Sequence, residues 1–516
     1  MKHIKKYLIY ISILLSSSPL FSQKNLTMGD NEFANNQYYK AIEYYLPYFN
    51  KKNIKHSEKA NLAYKLGYCY KKLSLPEEAS QYFYIAIENK YNDPIVYYYY
   101  GQTLQMQQKL EMALVQYKNF KELAPNHKYA DSGIESIEFA YKTLNTPSRY
   151  DVKVSGALNS GEFDYCPFFE AGNNRKIYFT STRYAPNHIT QNSKTGDYCS
   201  NLYFSEQNKE GKWSVPKLVQ GFVNTINEEG AASLNRRSSN IYFTRCMQDE
   251  KANKSCRIYF AKRSGNSWVQ AQLVEIPGIP AEISIGHPAI SDDELTLYFV
   301  ADSLFGGYGG KDIYKVTRDK KTSNFGYPQN LGPYINTEKD EVYPYIRSNG
   351  DLYFSSDGHL GMGGLDIFRA KRIKGAEYDV VNLGSPINST HDDFGIAFKG
   401  MREEGFFTSW RKGGMGKTDL FHFVMPQIEF TVSGKVWNKH LNTPIPNVDI
   451  QIMNDEYILM DSQITNEQGE FEIELQPENN YIIYFKAPDF KDVQKIEIET
   501  KSINETKYFY REVFFE

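Results

Sequence analysis

The sequence predicts a multidomain protein: an all-α helical repeat, then an all-β propeller of five blades with six as the alternative, then a small β-sandwich. Three observations predict it. Small and aromatic residues recur every 34 residues in the first 145, a short apolar-aromatic triplet recurs between residues 151 and 426, and apolar residues alternate with a period of two after residue 428. At 516 residues the chain exceeds the size at which one core keeps growing. Its 42 Tyr and 32 Phe against 4 Trp suit many short, half-buried strands.

Residues 1–22 read as a secretory leader, with a basic MKHIKK start, an apolar run from Tyr7 to Leu15 and a small-residue site ending at Ser22. Gln23 would then begin the exported chain. The apolar run is too short to span a bilayer, no cysteine at the site invites a lipid anchor, and no later stretch reaches the roughly 20 apolar residues of a span. The formal charge of −3 becomes −6 once Lys2, Lys5 and Lys6 leave with the leader, which argues against nucleic acid as a partner.

Residues 26–145 carry the helical repeat. Gly67 and Gly101, Ala79 and Ala113, and Phe83 and Tyr117 are each 34 residues apart, and Gly29, Ala41 and Tyr45 form an earlier copy offset by 38. Small residues let paired helices approach, and large ones fill the gap between pairs. Three helix pairs and a closing helix from Tyr129 to Leu144 are predicted. LGYCYKKLSLPEEASQYFYIAI and YGQTLQMQQKLEMALVQYKNF resemble the tetratricopeptide family, which implies a groove for peptides or partner proteins.

Past Thr146-Pro147-Ser148 the period changes. The triplets are Ile177-Tyr178-Phe179, Ile241-Tyr242-Phe243, Leu297-Tyr298-Phe299, Leu352-Tyr353-Phe354 and Gly405-Phe406-Phe407, stepping by 64, 56, 55 and 53 residues. Each leads through a turn, glycine-rich in its clearest copies, to a second strand such as DIYKVTR or DIFRAKR, and signals such as LGPYINTEKDE and LGSPINSTHDD close the unit. About four short strands per unit make a propeller blade. VKVSGALNSGEFD looks like the end of a unit whose beginning is missing, while the fifth unit lacks its last strand, so the strand at Val152 is expected to seal five blades.

FSSDGHLGMGGLDIFRA and its relatives resemble the TolB-type, WD40-like propeller repeat over residues 151–426. In residues 428–503, Gly434, Pro444, Pro446 and the T-x-x-x-G-x-F from Thr465 to Phe471 resemble the carboxypeptidase-regulatory-like, transthyretin-like sandwich. Residues 504–516 are left as a C-terminal tail.

The repeat register accounts for the motifs that resemble chemical sites. GGMGKTD contains Gly-Lys-Thr, but Arg411 occupies the position where a phosphate loop needs its first glycine, and a strand rather than a helix is expected next. The glycines align instead with Gly306 to Gly310 and Gly361 to Gly364, so Gly310 and Gly364 are assigned to blade turns with φ > 0. Asp312, Asp366 and Asp419 follow those turns, where capping backbone N–H groups is favoured over a calcium ring. H-E-x-x-H and G-x-S-x-G are not present, SSDGHLGMG only half matches a sialidase turn, and paired carboxylates of a glycosidase cannot be singled out. The expectation is a non-enzyme without cofactor, metal or catalytic residues.

Of five cysteines, Cys246 and Cys256 flank a tight hairpin within bridging reach, and Cys166 with Cys199 forms a second candidate disulfide. Cys69, on a helix, reads as packing. Tyr39, Tyr44-Tyr45 and Tyr97 to Tyr100 read mainly as interhelical packing, with a partner-binding surface as the alternative.

The domain order resembles Bacteroidetes envelope proteins of type IX secretion and gliding motility, whose chains normally continue into an OmpA-like domain that grips peptidoglycan. This sequence offers no residues to match that domain, which puts direct anchoring in doubt and leaves a short paralogue or a truncation as alternatives. The resemblance implies a periplasmic, outer-membrane-associated adaptor that holds envelope or secretion partners through its helical arm and propeller face. A glycan- or peptidoglycan-fragment-binding propeller is the second reading, and a hydrolase of unrecognised type the third.

Overall fold

The computed structural model describes residues 19–186, 188–192, 195–247, 255–375, 377–503 and 505–516, so most of the expected leader lies outside the described residues. The chain forms two compact units, divided between Val424 and Met425.

The first unit opens with seven helices: α1 (Pro19–Ala34), α2 (Tyr38–Phe49), α3 (His56–Lys72), α4 (Pro76–Glu88), α5 (Ile95–Met106), α6 (Leu110–Leu123) and α7 (Ser132–Asn145). They pair as the 34-residue period predicts, α7 closing the series three residues later than expected. The reason for the period is steric. A Cβ at Gly67 would sit 2.8 Å from the Phe83 ring, one at Gly101 2.6 Å from Tyr117, and one at Gly29 2.7 Å from Tyr45. Tyr45, Phe83 and Tyr117 are buried by that approach. Among the described residues no helix is long and apolar enough to cross a membrane.

Five antiparallel sheets follow. Sheet 1 comprises Asp164–Glu170, Asn173–Ser181, Asn201–Glu206 and Lys217–Leu218. Sheet 2 runs Glu228–Leu234, Asn240–Cys246, Cys256–Ser264 and Gln272–Leu273, with Ser267–Trp268 folded back on its third strand. Sheet 3 has Ile285–Ile290, Thr296–Asp302, Lys311–Thr317 and Gln329–Asn330, and sheet 4 has Glu341–Ile346, Leu352–Ser356, Asp366–Lys374 and Glu377–Asn382. Sheet 5 takes three strands from its own repeat, Asp393–Phe398, Glu404–Ser409 and Asp419–Val424, and its fourth, Asp151–Val154, from the start of the β region. The first strand of each sheet lies against the first strand of the next, and that of sheet 5 against that of sheet 1, a propeller-like arrangement. The triplets are the second strands. Ile177, Phe179, Ile241, Phe243, Leu297, Phe299 and Phe354 are buried between sheets because both faces of a stacked sheet are covered.

The second unit packs two four-stranded sheets on one core that includes Val432, Val436, Ile450, Ile452, Ile483 and Phe485. The expected tail is corrected here. Lys507–Phe515 is a strand that pairs in parallel with Phe430–Asn438, and its Phe509, Val513 and Phe515 enter the core. Its alternating aromatic pattern, read as an extension, is that of a strand with one buried face.

Candidate functional site

Four of the five connectors between sheets, all but that from sheet 2 to sheet 3, share a construction. Asn159, Asn224, Asn336 and Asn388 each stand five residues before an acidic residue at or near the start of an inner strand: Asp164, Glu229, Glu341 and Asp393. Each asparagine amide imitates a strand. Asn336 Oδ1 accepts from Ile313 N at 2.8 Å while its Nδ2 donates to Ile313 O at 2.9 Å, and Asn159, Asn224 and Asn388 do the same at Leu420, Leu202 and Ile367. The carboxylates accept the backbone N–H and hydroxyl of the residue four positions earlier, at Ser160, Thr225, Thr337 and Ser389. Reasoning from the sequence missed these residues. The signal was the N-[ST]-x-x-x-[DE] pattern, present once in each of those four connectors.

Three of the four buried carboxylates have an arginine. Arg183 pairs with Asp164 at 2.5 Å, Arg245 with Glu229 at 2.7 Å and Arg411 with Asp393 at 2.6 Å. In sheet 4 the position matching Arg183 and Arg411 is Gly358, and Glu341 is held by the hydroxyls of Ser356 and Thr337 instead. Burial without a cation pushes its carboxyl up to about 7.

The first strand of every one of these five sheets carries one bulged residue with positive φ: Cys166, Ala231, His287, Tyr343 and Gly395. Three of their freed N–H groups are taken up by the preceding sheet. Ala231 N donates to Thr180 Oγ1, His287 N to Thr244 Oγ1 and Cys166 N to Thr408 Oγ1, at 2.9–3.0 Å. The corresponding residue of sheet 3 is Val300, and there Tyr343 N donates to His287 Nδ1 at 3.3 Å. Burial holds His287 at about 3, so its ring is neutral and can accept. His287, Tyr343 and Phe394 stack with centroids 4.0 and 4.8 Å apart.

Asp312, Asp366 and Asp419 accept backbone N–H groups of their own turns, from Tyr308, Met362 and Met415 respectively. Gly310 and Gly364 are where the expectation needs correction: neither has positive φ. They are glycine because the next connector presses on them, and a Cβ would collide with Asp340 Oδ1 at Gly310 and with Asp392 Oδ1 at Gly364. Gly416, in the Gly-Lys-Thr run, likewise faces Glu162 O, Lys417 pairs with Glu162 and Asp197, and a strand follows.

Cys246 and Cys256 are opposed at the end of their hairpin and joined by a disulfide. Cys166 and Cys199 are both unbridged, which corrects the second candidate pair: Cys166 is the axial bulge of sheet 1, and Cys199 lies in the loop before the third strand. Cys69 is fully buried, and burial raises its thiol to about 12.

The helical arm is seated on turn loops of the sheets. Met362, at the tip of the sheet 4 turn, is fully buried among Tyr98, Tyr117, Phe120 and Ile137 of the helices. Gln105 Nε2 donates to Met362 O at 2.7 Å and Ser136 Oγ to Gly361 O at 2.8 Å. Ser74 Oγ reaches Asp392 Oδ2 at 3.2 Å, Lys339 Nζ reaches the Tyr98 hydroxyl at 3.3 Å, and Lys128 pairs with Glu338 at 2.8 Å. Burial in this junction lowers Lys71 to about 8. Most tyrosines of the arm are half-buried, and several pack on one another: Tyr64 stacks on Tyr91 and Tyr98 on Tyr129. A part of the arm surface expected to hold partners is therefore occupied by the chain's own β sheets. Among the described residues no group of three or more His, Cys, Asp or Glu side chains could hold a metal ion. A cleft of about 480 Å³ between sheets 3 and 4 is bordered by Asp292, Asp351, Lys315, Arg372 and Tyr378.

No family model matches the chain, and no curated protein matches it. Among solved structures, the second tetratricopeptide domain of human RPAP3 in complex with an HSP70 peptide is 21% identical over 23% of this chain and 98% of its own, with a TM-score of 0.21. An endo-arabinase from Bacteroides thetaiotaomicron is 12% identical over 53% of this chain and 98% of its own, at 0.35. An α-L-arabinofuranosidase from Clostridium thermocellum is 12% identical over 61% of this chain and 97% of its own, at 0.33.

Proposed function

We propose that this chain is a non-enzymatic adaptor, a five-bladed propeller with a tetratricopeptide arm and a transthyretin-like sandwich, that binds other proteins of the cell envelope. The observation that carries the reading is how the recurrent polar side chains are used. Asp312, Asp366 and Asp419 cap their turns, the connector asparagines complete strands, and Asp164, Glu229 and Asp393 are engaged by hydroxyls and arginines. Groups committed to holding backbone in place make a rigid platform. The arm brings α-helical surface onto that platform, and helical repeats and propeller faces serve recognition through surface rather than chemistry.

The setting we propose is the periplasm, at the outer membrane, in type IX secretion or gliding motility, with export by the leader at residues 1–22. Crosslinking in the native envelope followed by co-purification tests it. Recovery of secretion or motility components, lost when residues 26–144 are deleted, is the expected result. A protein that stays alone and binds sugar fragments would overturn it.

A further inference from the structure

The arm crosses the ring in order. Tyr39 of α2 lies against Gly196 of sheet 1, where a Cβ would come within 2.7 Å of its ring. Glu77 of α4 approaches Lys412 in the turn of sheet 5 at 3.9 Å, and α5 and α7 enclose Met362 of sheet 4. Lys128, between α6 and α7, reaches Glu338 on the connector from sheet 3. Successive helix pairs thus meet sheets 1, 5 and 4, and the next turn in that direction belongs to sheet 3.

That turn repeats the feature that seats the arm. Counting back from the capping aspartates, Tyr308 of sheet 3 holds the position of Met362. Its loop is equally well fixed: Tyr308 N donates to Asp312, Gly310 N to Lys339 O, and Leu304 is buried just before it. Yet Met362 is 0% exposed, whereas Tyr308 is 50% and Phe305 is 100% exposed. Gly307 O and Tyr308 O, the counterparts of the two carbonyls capped by Ser136 and Gln105, accept no hydrogen bond among the described residues. Phe305 and Tyr308 thus present two exposed aromatic side chains on one loop, next to the buried Leu304.

We propose that the sheet 3 turn, through Phe305 and Tyr308, docks a pair of packed α-helices of a partner protein, which continues this chain's own arm around the ring. The partner is defined by what the arm supplies at Met362: an apolar pocket between packed helices, built here from α5, α6 and α7, with side-chain donors from two of them for two loop carbonyls. This rests on the adaptor reading and specifies where one partner sits.

The test uses the full chain in its native cells, with a photoreactive benzoylphenylalanine replacing Phe305 and, as control, Phe222, an exposed aromatic of the connector from sheet 1 to sheet 2. Expected is an adduct at 305, not at 222, whose attachment sites map to two adjacent helices of one other polypeptide. With the photoreactive group kept at 305, Tyr308→Ser should reduce its yield by about tenfold. No adduct at 305, an adduct on lipid or on an extended segment, or one on the arm of a second copy of this chain would each overturn the proposal. If arm-dependent co-purification persists without the 305 adduct, the docking site fails and the adaptor stands. If both are lost, the adaptor reading fails with it.

Discussion

The hydroxyl of Thr408, in sheet 5, accepts a hydrogen bond of 2.9 Å from the backbone N–H of Cys166, in sheet 1. Residues 242 apart in sequence thereby join the last repeat to the first, at a position where Thr180 and Thr244 join sheets 1 to 2 and 2 to 3. The bulge frees an N–H, and the threonine of the neighbouring sheet takes it up. Thr408→Val keeps the shape and removes the acceptor, leaving a buried donor unpaired. The expected loss is about 1–3 kcal/mol in urea unfolding followed by tyrosine fluorescence. A variant as stable as the parent would show that the latch contributes nothing.

Gly363 lies against the backbone of Thr390 in the connector to sheet 5, so a Cβ there has nowhere to go. Gly363→Ala should cost about 1–3 kcal/mol by the same measurement. Gly161→Ala, where nothing lies within 4 Å, should change stability by less than about 0.5 kcal/mol. Equal effects at the two sites would refute the steric account of the blade glycines.

Glu341 is the one connector carboxylate with no arginine among the described residues. Its carboxyl is raised from 4.5 to about 7, so the folded state binds its proton more tightly than the unfolded chain does. The resulting stabilisation is complete below about pH 4.5 and is lost as pH rises to about 7, a change on the order of 3 kcal/mol. Glu341→Gln should flatten that part of the stability profile. An unchanged slope between pH 4.5 and 7 would place the titration elsewhere.

Met362→Ala empties the pocket by which the arm holds sheet 4. Loss of a fully buried methionine should weaken this junction by about 2–5 kcal/mol. Amide hydrogen exchange should rise in α5 and α7, with little change in the strands of sheets 1 and 2. Unchanged exchange in those helices would mean that Met362 does not fasten the arm.

Much was legible from periodicity. Gly29, Gly67 and Gly101 announced the helix pairs because a glycine that admits an aromatic ring must recur wherever the pair recurs. The triplets announced the second strands for the same reason, since burial between sheets selects them. Reading failed where one residue type serves two purposes. Gly310 and Gly364 looked like conformational glycines and are steric ones, and Lys507–Phe515 looked like part of a C-terminal tail because its partner, Phe430–Asn438, is far away in sequence.

The sequence by itself determined the repeats, and with them the helix pairs, the blade strands and the capping aspartates, because each depends on neighbours within one repeat unit. Tertiary structure alone decided what happens between units. It places Thr408 against Cys166, buries Met362 in the arm while leaving Phe305 exposed, and leaves Cys166 and Cys199 unbridged. Contacts between repeats depend on how sheets and helices stack in space, and local pattern carries no record of that.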